Sequence, residues 1–134
     1  MKTEEAGKPE TKAIPKKCDV IAPDGSEIRL LPALRSGSSV HCTLPAGKVS
    51  QAVRHKTVEE IWHVLEGEGE IWRRDKSGTE TVVGLQKGVS LTIPLGTSFQ
   101  FRALAGRPLE IFIVTMPPWP GNDEAEAVSN HWPL

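Results

Sequence analysis

A histidine and a glutamate five residues apart are the first candidates for chemistry in this sequence. His55 closes one short segment, and Glu60 lies in the largely apolar segment that follows it. An imidazole and a carboxylate that face each other can hold a transition metal, or can act without metal as a general acid–base pair. We therefore interpret His55 and Glu60 as the candidate catalytic residues. Apolar burial would favour the acid–base role by raising the pKa of Glu60.

Aromatic and aliphatic side chains near this pair are candidates for the walls of a binding cavity. Side chains two residues apart on a strand point to the same face, which favours an inward orientation for alternate residues around the pair. Two phenylalanines with the same spacing follow later in the chain and would make the pocket apolar. The predicted ligand-binding residues are Gln51, Val53, Trp62, Phe99 and Phe101.

Two further histidines are considered as metal ligands. His63 has the opposite parity to Glu60 and is expected to point outward. His41 lies on a preceding strand, and the sequence leaves its facing open. The candidate metal ligands are accordingly His55, Glu60 and His41.

Short apolar segments separated by glycine and proline turns are expected to position these residues. Turn signals recur about every 8–12 residues, which is typical of an all-β sandwich or barrel. A short helix near residues 123–128 is a further expectation, because cap-type residues precede a Glu-Ala-Glu-Ala run. The predicted strands are 27–31, 38–44, 49–55, 59–66, 69–74, 79–84, 89–93, 98–104 and 108–116.

The spacing of one segment resembles the first motif of the cupin family. In that family a glycine is followed by His-x-His, then by a glutamate and by a second glycine. Here Gly47 opens the segment, Val53 stands at the first histidine position and His55 at the second. Glu60 and Gly67 follow at the family spacing.

A second segment resembles the other cupin motif, in register with the first. Gly88 and the turn Pro94-Leu95-Gly96 stand at their positions, but Phe99 replaces the histidine and Ala103 the asparagine. The two segments together cover about residues 38–116. The resemblance implies an all-β jelly-roll barrel, also called a double-stranded β-helix.

The resemblance also implies a metal site of three histidines and one glutamate inside the barrel. Only His55 and Glu60 remain of that set, which is fewer than the three protein ligands usual for a catalytic zinc site. A divalent transition metal (Mn, Fe, Ni or Zn) is therefore expected to bind weakly or to be absent. The sequence favours a protein that binds a small organic molecule. The alternatives are a metal-dependent dioxygenase, isomerase or lyase and a purely structural scaffold.

Three regions are expected along the chain. Residues 1–17 form a flexible polar tail, residues 18–116 the barrel, and residues 117–134 an extension that packs on it. The strands around Ile61 and Phe112 are apolar on both faces and need an outer cover. A homodimer would supply this cover, and the C-terminal extension is an equally good alternative.

Composition excludes several classes of partner. The 134 residues carry a formal net charge of -1, with scattered basic residues, so no nucleic-acid or membrane partner is expected. The start of the chain lacks the apolar core of a signal peptide, which leads us to expect a cytoplasmic protein. Cys18 and Cys42 are expected to be free in a reducing compartment, although the sequence alone permits a disulfide.

Overall fold

Eleven β-strands form the framework of the computed structural model, which describes residues 7–121 and 123–134. No helix is present among these residues, and none is therefore long and apolar enough to cross a membrane. In chain order the strands are β1 (Val20–Ile21), β2 (Glu27–Leu34), β3 (Gly37–Leu44), β4 (Val53–His55), β5 (Glu59–Glu66), β6 (Glu68–Arg74), β7 (Glu80–Gln86), β8 (Ser90–Ile93), β9 (Ser98–Ala103), β10 (Leu109–Met116) and β11 (Ala125–Ala127).

The strands pair antiparallel in two sheets. A six-stranded sheet has the order β1-β2-β3-β10-β5-β8, and a five-stranded sheet the order β11-β4-β9-β6-β7. Six of the nine neighbouring strand pairs are not consecutive in the chain, as expected for a jelly roll and unlike a simple meander. The predicted all-β barrel is thus confirmed. Buried side chains of both sheets form one core, which includes Leu44, Trp62, Ile71, Phe101 and Ile111.

Alternation of side chains fixes which residues face the core. In β5, Glu60, Trp62 and Val64 are buried, and the residues between them are exposed. Strand β10 repeats this pattern with inward Ile111 and Ile113. A period of two on both strands specifies the register, because a slip by one residue would turn these side chains toward solvent.

Gly67 is required where β5 turns into β6. Its φ of 86° lies in the left-handed region, and a Cβ at this position would collide with the carbonyl oxygen of Pro108. Only glycine meets both demands without strain. This glycine of the first motif therefore serves the turn that carries β5 into the other sheet.

The predicted C-terminal helix is absent from the described residues. Strand β11 stands there instead and pairs with β4, with Ala125 opposite His55 and Ala127 opposite Val53. The Glu-Ala alternation also fits a strand, and Glu126 forms an ion pair with Arg54 at 2.6 Å. A helix this short has little stability of its own, whereas pairing with the free edge of β4 satisfies backbone hydrogen bonds of both strands.

The C-terminal segment continues across the outer side of the five-stranded sheet. Buried Gln100 of β9 accepts backbone hydrogen bonds from His131 and Trp132 at 2.8 and 2.7 Å. The His131 ring stacks on Trp72, and the Arg102 guanidinium lies 4.2 Å from the centre of a Trp132 ring. These contacts hold residues 125–132 along the sheet.

The outer side of the six-stranded sheet is contacted by residues of the predicted N-terminal tail and remains partly exposed. Arg29 of β2 donates hydrogen bonds to the carbonyl oxygens of Pro15 and Lys16, so this end of the predicted tail contacts the barrel. Residues 1–6 of the predicted tail lie outside the described residues. Ile61 on β5 remains 47% exposed, and the contacts of residues 125–132 lie on the other sheet. The homodimer that would cover this face stays a prediction.

Candidate functional site

Glu60 is a buried acidic group of the site that two side-chain hydrogen bonds hold in place. Strand β5 turns it inward, and it is 6% exposed. One carboxyl oxygen accepts the indole N–H of Trp62 at 3.0 Å, and the other accepts the hydroxyl of Thr115 at 2.7 Å. Burial raises the pKa of Glu60 to about 7; these two hydrogen bonds lower it, and the charges of Asp24 and Glu124 raise it. Near neutral pH the carboxyl can therefore give up or take a proton.

His55 lies beside Glu60 on the neighbouring sheet. Its Nδ1 is 3.9 Å from Oε1 of Glu60, which is longer than a hydrogen bond. This nitrogen is buried without a hydrogen-bond partner among the described residues. Burial lowers the pKa of His55, against the opposing charges of Asp24 and Glu124, so the imidazole is neutral at pH 7. Phe99 and Trp119 pack against its ring, with centroids 5.2 and 5.1 Å away.

Asp24 is a third ionisable group of the site that the sequence pattern did not single out. It lies in the turn between β1 and β2, where its Oδ1 accepts hydrogen bonds from the backbone N–H and hydroxyl of Ser26. Burial of the carboxyl raises its pKa, while the bonds from Ser26 lower it. The sequence predicts only a turn at Pro23-Asp24-Gly25-Ser26. Nothing in the sequence shows that this turn lies against the cavity of the barrel.

These groups border a cavity of about 450 Å³ between the sheets. Its walls are mostly apolar, and the cavity reaches the surface beside the partly exposed Val20 and Leu30. Cys42 also lines it as a free thiol, and burial raises the pKa of that thiol. Polar side chains of the wall include Asp24, Ser26, His55, Glu60 and Thr115, and apolar ones include Val40, Val53, Trp62, Phe99, Ile113 and Trp119.

Three of the five predicted ligand-binding residues line this cavity together with His55 and Glu60. They are Val53, Trp62 and Phe99. Gln51 does not, because its amide donates to the backbone carbonyl of Ala52 and reaches Asn130 in the C-terminal segment. Phe101 does not either: it is fully buried in the core below, 5.0 Å from Trp62 between ring centroids.

His41 does not join His55 and Glu60. It stands opposite Phe112 in the register of β3 and β10, on the outer side of the six-stranded sheet. Its Nε2 lies 3.1 Å from a carboxyl oxygen of Glu110, and burial lowers the pKa of the imidazole. His63 is also outward and exposed, as its parity predicts.

The residues present do not fit the metal that the family resemblance implies. No cluster of three or more histidine, cysteine or acidic side chains able to hold a metal exists in the described parts of the chain. Both oxygens of Glu60 already accept protein hydrogen bonds. Val53 and Phe99, paired across β4 and β9, place hydrocarbon where the resemblance implies imidazoles.

The burial of Glu60 predicts a pH-dependent stability difference. A folded-state pKa of about 7, against an ordinary value of 4.5, means that the native state binds more protons in this range. Glu60 therefore stabilises most below pH 4.5, and this contribution is lost as the pH rises through 7. Relative to Glu60→Gln, the free energy of unfolding of the wild type should fall by about 3 kcal/mol across this window.

Urea denaturation of both proteins at several pH values checks this expectation. His55 titrates in both proteins, so its opposite contribution largely cancels in the difference. Glu59→Gln, at the exposed neighbouring position of β5, is the matched control and should show no such trend. A pH-independent difference between wild type and Glu60→Gln would contradict the raised pKa.

Comparison with known proteins agrees with the fold and the motifs. The family described as Cupin domain matches residues 40–115. An uncharacterized protein of Methanocaldococcus jannaschii is 32% identical over 108 residues, which cover 77% of this chain and 82% of that protein.

Solved structures are similar in fold. A protein from Bacillus halodurans superposes with a TM-score of 0.64 at 19% identity, covering 71% of this chain and 73% of that one. A predicted oxalate decarboxylase from Thermotoga maritima gives a TM-score of 0.57 at 21% identity, covering 69% and 80%. Because the family match spans more than half of the chain and agrees with its two motifs, this chain belongs to the cupin family.

Proposed function

We propose that this protein binds a small organic molecule in its barrel cavity without a metal ion. The observation that carries the proposal is the composition of the cavity: an apolar chamber of about 450 Å³ with one concentrated polar region around His55 and Glu60. Sites for small molecules commonly have this size and combine apolar walls with a few polar groups that orient the ligand.

The side chains at two positions where the family resemblance implies metal ligands support binding without metal. Val53 and Phe99 make the apolar wall continuous at the positions where the family resemblance implies metal ligands. In this interpretation Trp62, Phe99 and Trp119 contact the ligand body, while His55 and Glu60 hold its polar group. A metal-dependent enzyme would need a third ligand, and His41 faces the other side of the sheet.

Fluorescence titration with the uncharged dye N-phenylnaphthylamine tests this proposal, because its emission rises when it enters an apolar cavity. We expect saturable one-to-one binding by the full chain, unchanged by a chelator. Val40→Trp adds an indole at a half-buried position of the cavity wall and should weaken dye binding about tenfold or more. Val82→Trp, at an exposed position of β7, is the matched control and should leave it unchanged.

Metal analysis of the purified protein completes the test. Stoichiometric metal that is lost in His55→Ala would contradict binding without metal. Equal dye affinity in wild type, Val40→Trp and Val82→Trp would contradict binding in this cavity, provided that all three proteins show the same thermal unfolding behaviour.

A further inference from the structure

We propose that the cavity selects a small organic cation, an amine whose ammonium group lies beside Glu60 and Asp24. This inference rests on the proposed binding function and names the chemical class of the ligand. Three observations support it: the charges around the cavity, the hydrogen-bond donors and acceptors in its wall, and its size and aromatic lining.

The ionisable groups of the wall are acidic or neutral. Asp24 and Glu60 are the carboxyls, His55 is a neutral imidazole and Cys42 a buried thiol. The lining contains no lysine or arginine among the described residues. Glu124, whose carboxylate accepts hydrogen bonds from Thr57 and Val58, adds negative charge near both His55 and Glu60. An entering cation would relieve the repulsion among these carboxyls, and an anion would increase it.

The hydrogen-bond donors nearest the carboxyls are already used. The indole N–H of Trp62 and the hydroxyl of Thr115 both donate to Glu60. The hydroxyl of Ser26 donates to Oδ1 of Asp24, while Oδ2 of Asp24 accepts no hydrogen bond from the described residues. The polar region thus offers spare acceptors and few donors. A ligand that supplies several N–H donors complements it, and a carboxylate does not.

Size and aromatic content exclude a bare ion as the best occupant. A cavity of about 450 Å³ leaves most of its space unfilled around a single ammonium or metal ion. Trp62, Phe99 and Trp119 line the remaining wall. Aromatic side chains tolerate a nearby cation through their π electrons and also bury an apolar body. The complementary ligand is therefore an amine that carries an aromatic or aliphatic body.

Displacement of N-phenylnaphthylamine by three probes of matched shape tests this inference. The probes are phenethylamine, phenethyl alcohol and phenylacetate, which all carry a phenyl ring on a short chain and differ in the charge of the head group. At about pH 8, where Glu60 is mostly ionised, the amine should bind about tenfold tighter than the alcohol. Phenylacetate should bind more weakly than the alcohol. The amine preference should shrink at about pH 6, as Glu60 takes up a proton.

Two variants show whether the carboxyls are responsible. Glu60→Gln should bring the affinity of phenethylamine close to that of phenethyl alcohol, whereas Glu59→Gln should retain the full preference. Asp24→Asn, which keeps an oxygen for the bonds from Ser26, is a second variant if Glu60→Gln fails to fold.

The outcomes separate this inference from the function on which it rests. Dye binding in the cavity without an amine preference would overturn the inference and leave the binding function intact. An amine preference that persists in both Glu60→Gln and Asp24→Asn would also overturn it. Failure of the dye and of all three probes to bind would overturn both.

Discussion

Replacing Val53 and Phe99 together by histidine is expected to create a transition-metal site with the four ligands that the family resemblance implies. The two positions are direct partners in the register of β4 and β9, and both line the cavity beside His55 and Glu60. With four nitrogen and oxygen ligands at one point, affinity for Ni²⁺ or Zn²⁺ should rise by about a thousandfold or more over the wild type. Metal titration followed by competition with a chelator of known affinity measures this change.

Stability provides an independent measurement for the same double variant. Two imidazoles in an apolar wall are costly without metal, so the metal-free variant should unfold at a lower temperature than the wild type. Added Ni²⁺ should restore stability to the variant and leave the wild type unchanged, because a ligand that binds only the native state stabilises it.

Single and triple variants provide the controls. Each single histidine should give intermediate affinity, and adding His55→Ala to the double variant should remove most of the gain. A folded double variant that binds metal no better than the wild type would show that these four positions do not converge, although all four line the same cavity.

The strands of the barrel were predictable because the signals that define strands and turns are local. Turn residues and the apolar segments between them predicted nine strands close to those observed, and two motifs in register predicted the jelly-roll barrel. Strand β4 proved shorter than predicted, spanning Val53–His55, with Val49 in an isolated bridge to Arg102. Gly67 illustrates the physical basis, since a positive φ and a close backbone contact leave only one residue type possible.

The site was predictable only where parity on a strand decides the facing. That rule correctly turns Val53, Trp62 and Phe99 toward the cavity. It fails for Gln51, which lies outside a strand and is held by the C-terminal segment. It is silent on Asp24, because the position of a turn over the barrel opening depends on long-range packing.

The C-terminal segment was the least predictable part of the chain. Its Glu-Ala-Glu-Ala run fits a helix as well as a strand, and the free edge of β4 decides between them. Trp119, in the predicted extension 117–134, packs its ring against His55. Its backbone N–H donates a hydrogen bond to the hydroxyl of Ser38, which fixes its position. Tertiary contacts, absent from any local pattern, thus complete one wall of the cavity.

Gln100→Ala is expected to release the end of this segment and to destabilise the protein by about 3–5 kcal/mol. The Gln100 side chain is fully buried. It accepts the backbone N–H groups of His131 and Trp132 and donates to the carbonyl oxygens of Ser50 and Trp132. Alanine would leave these four backbone groups without their partner under a covering segment, and a buried polar group without a partner is costly.

Urea denaturation measures the loss of stability, and hydrogen exchange of residues 125–132 measures the release. Gln86→Ala, at an exposed position of β7, is the matched control and should change stability by no more than about 0.5 kcal/mol. If the segment is held mainly by β11 and by the stacking of His131 on Trp72, Gln100→Ala will instead leave exchange unchanged. That result would show that these other contacts, and not the hydrogen bonds of Gln100, hold the segment in place.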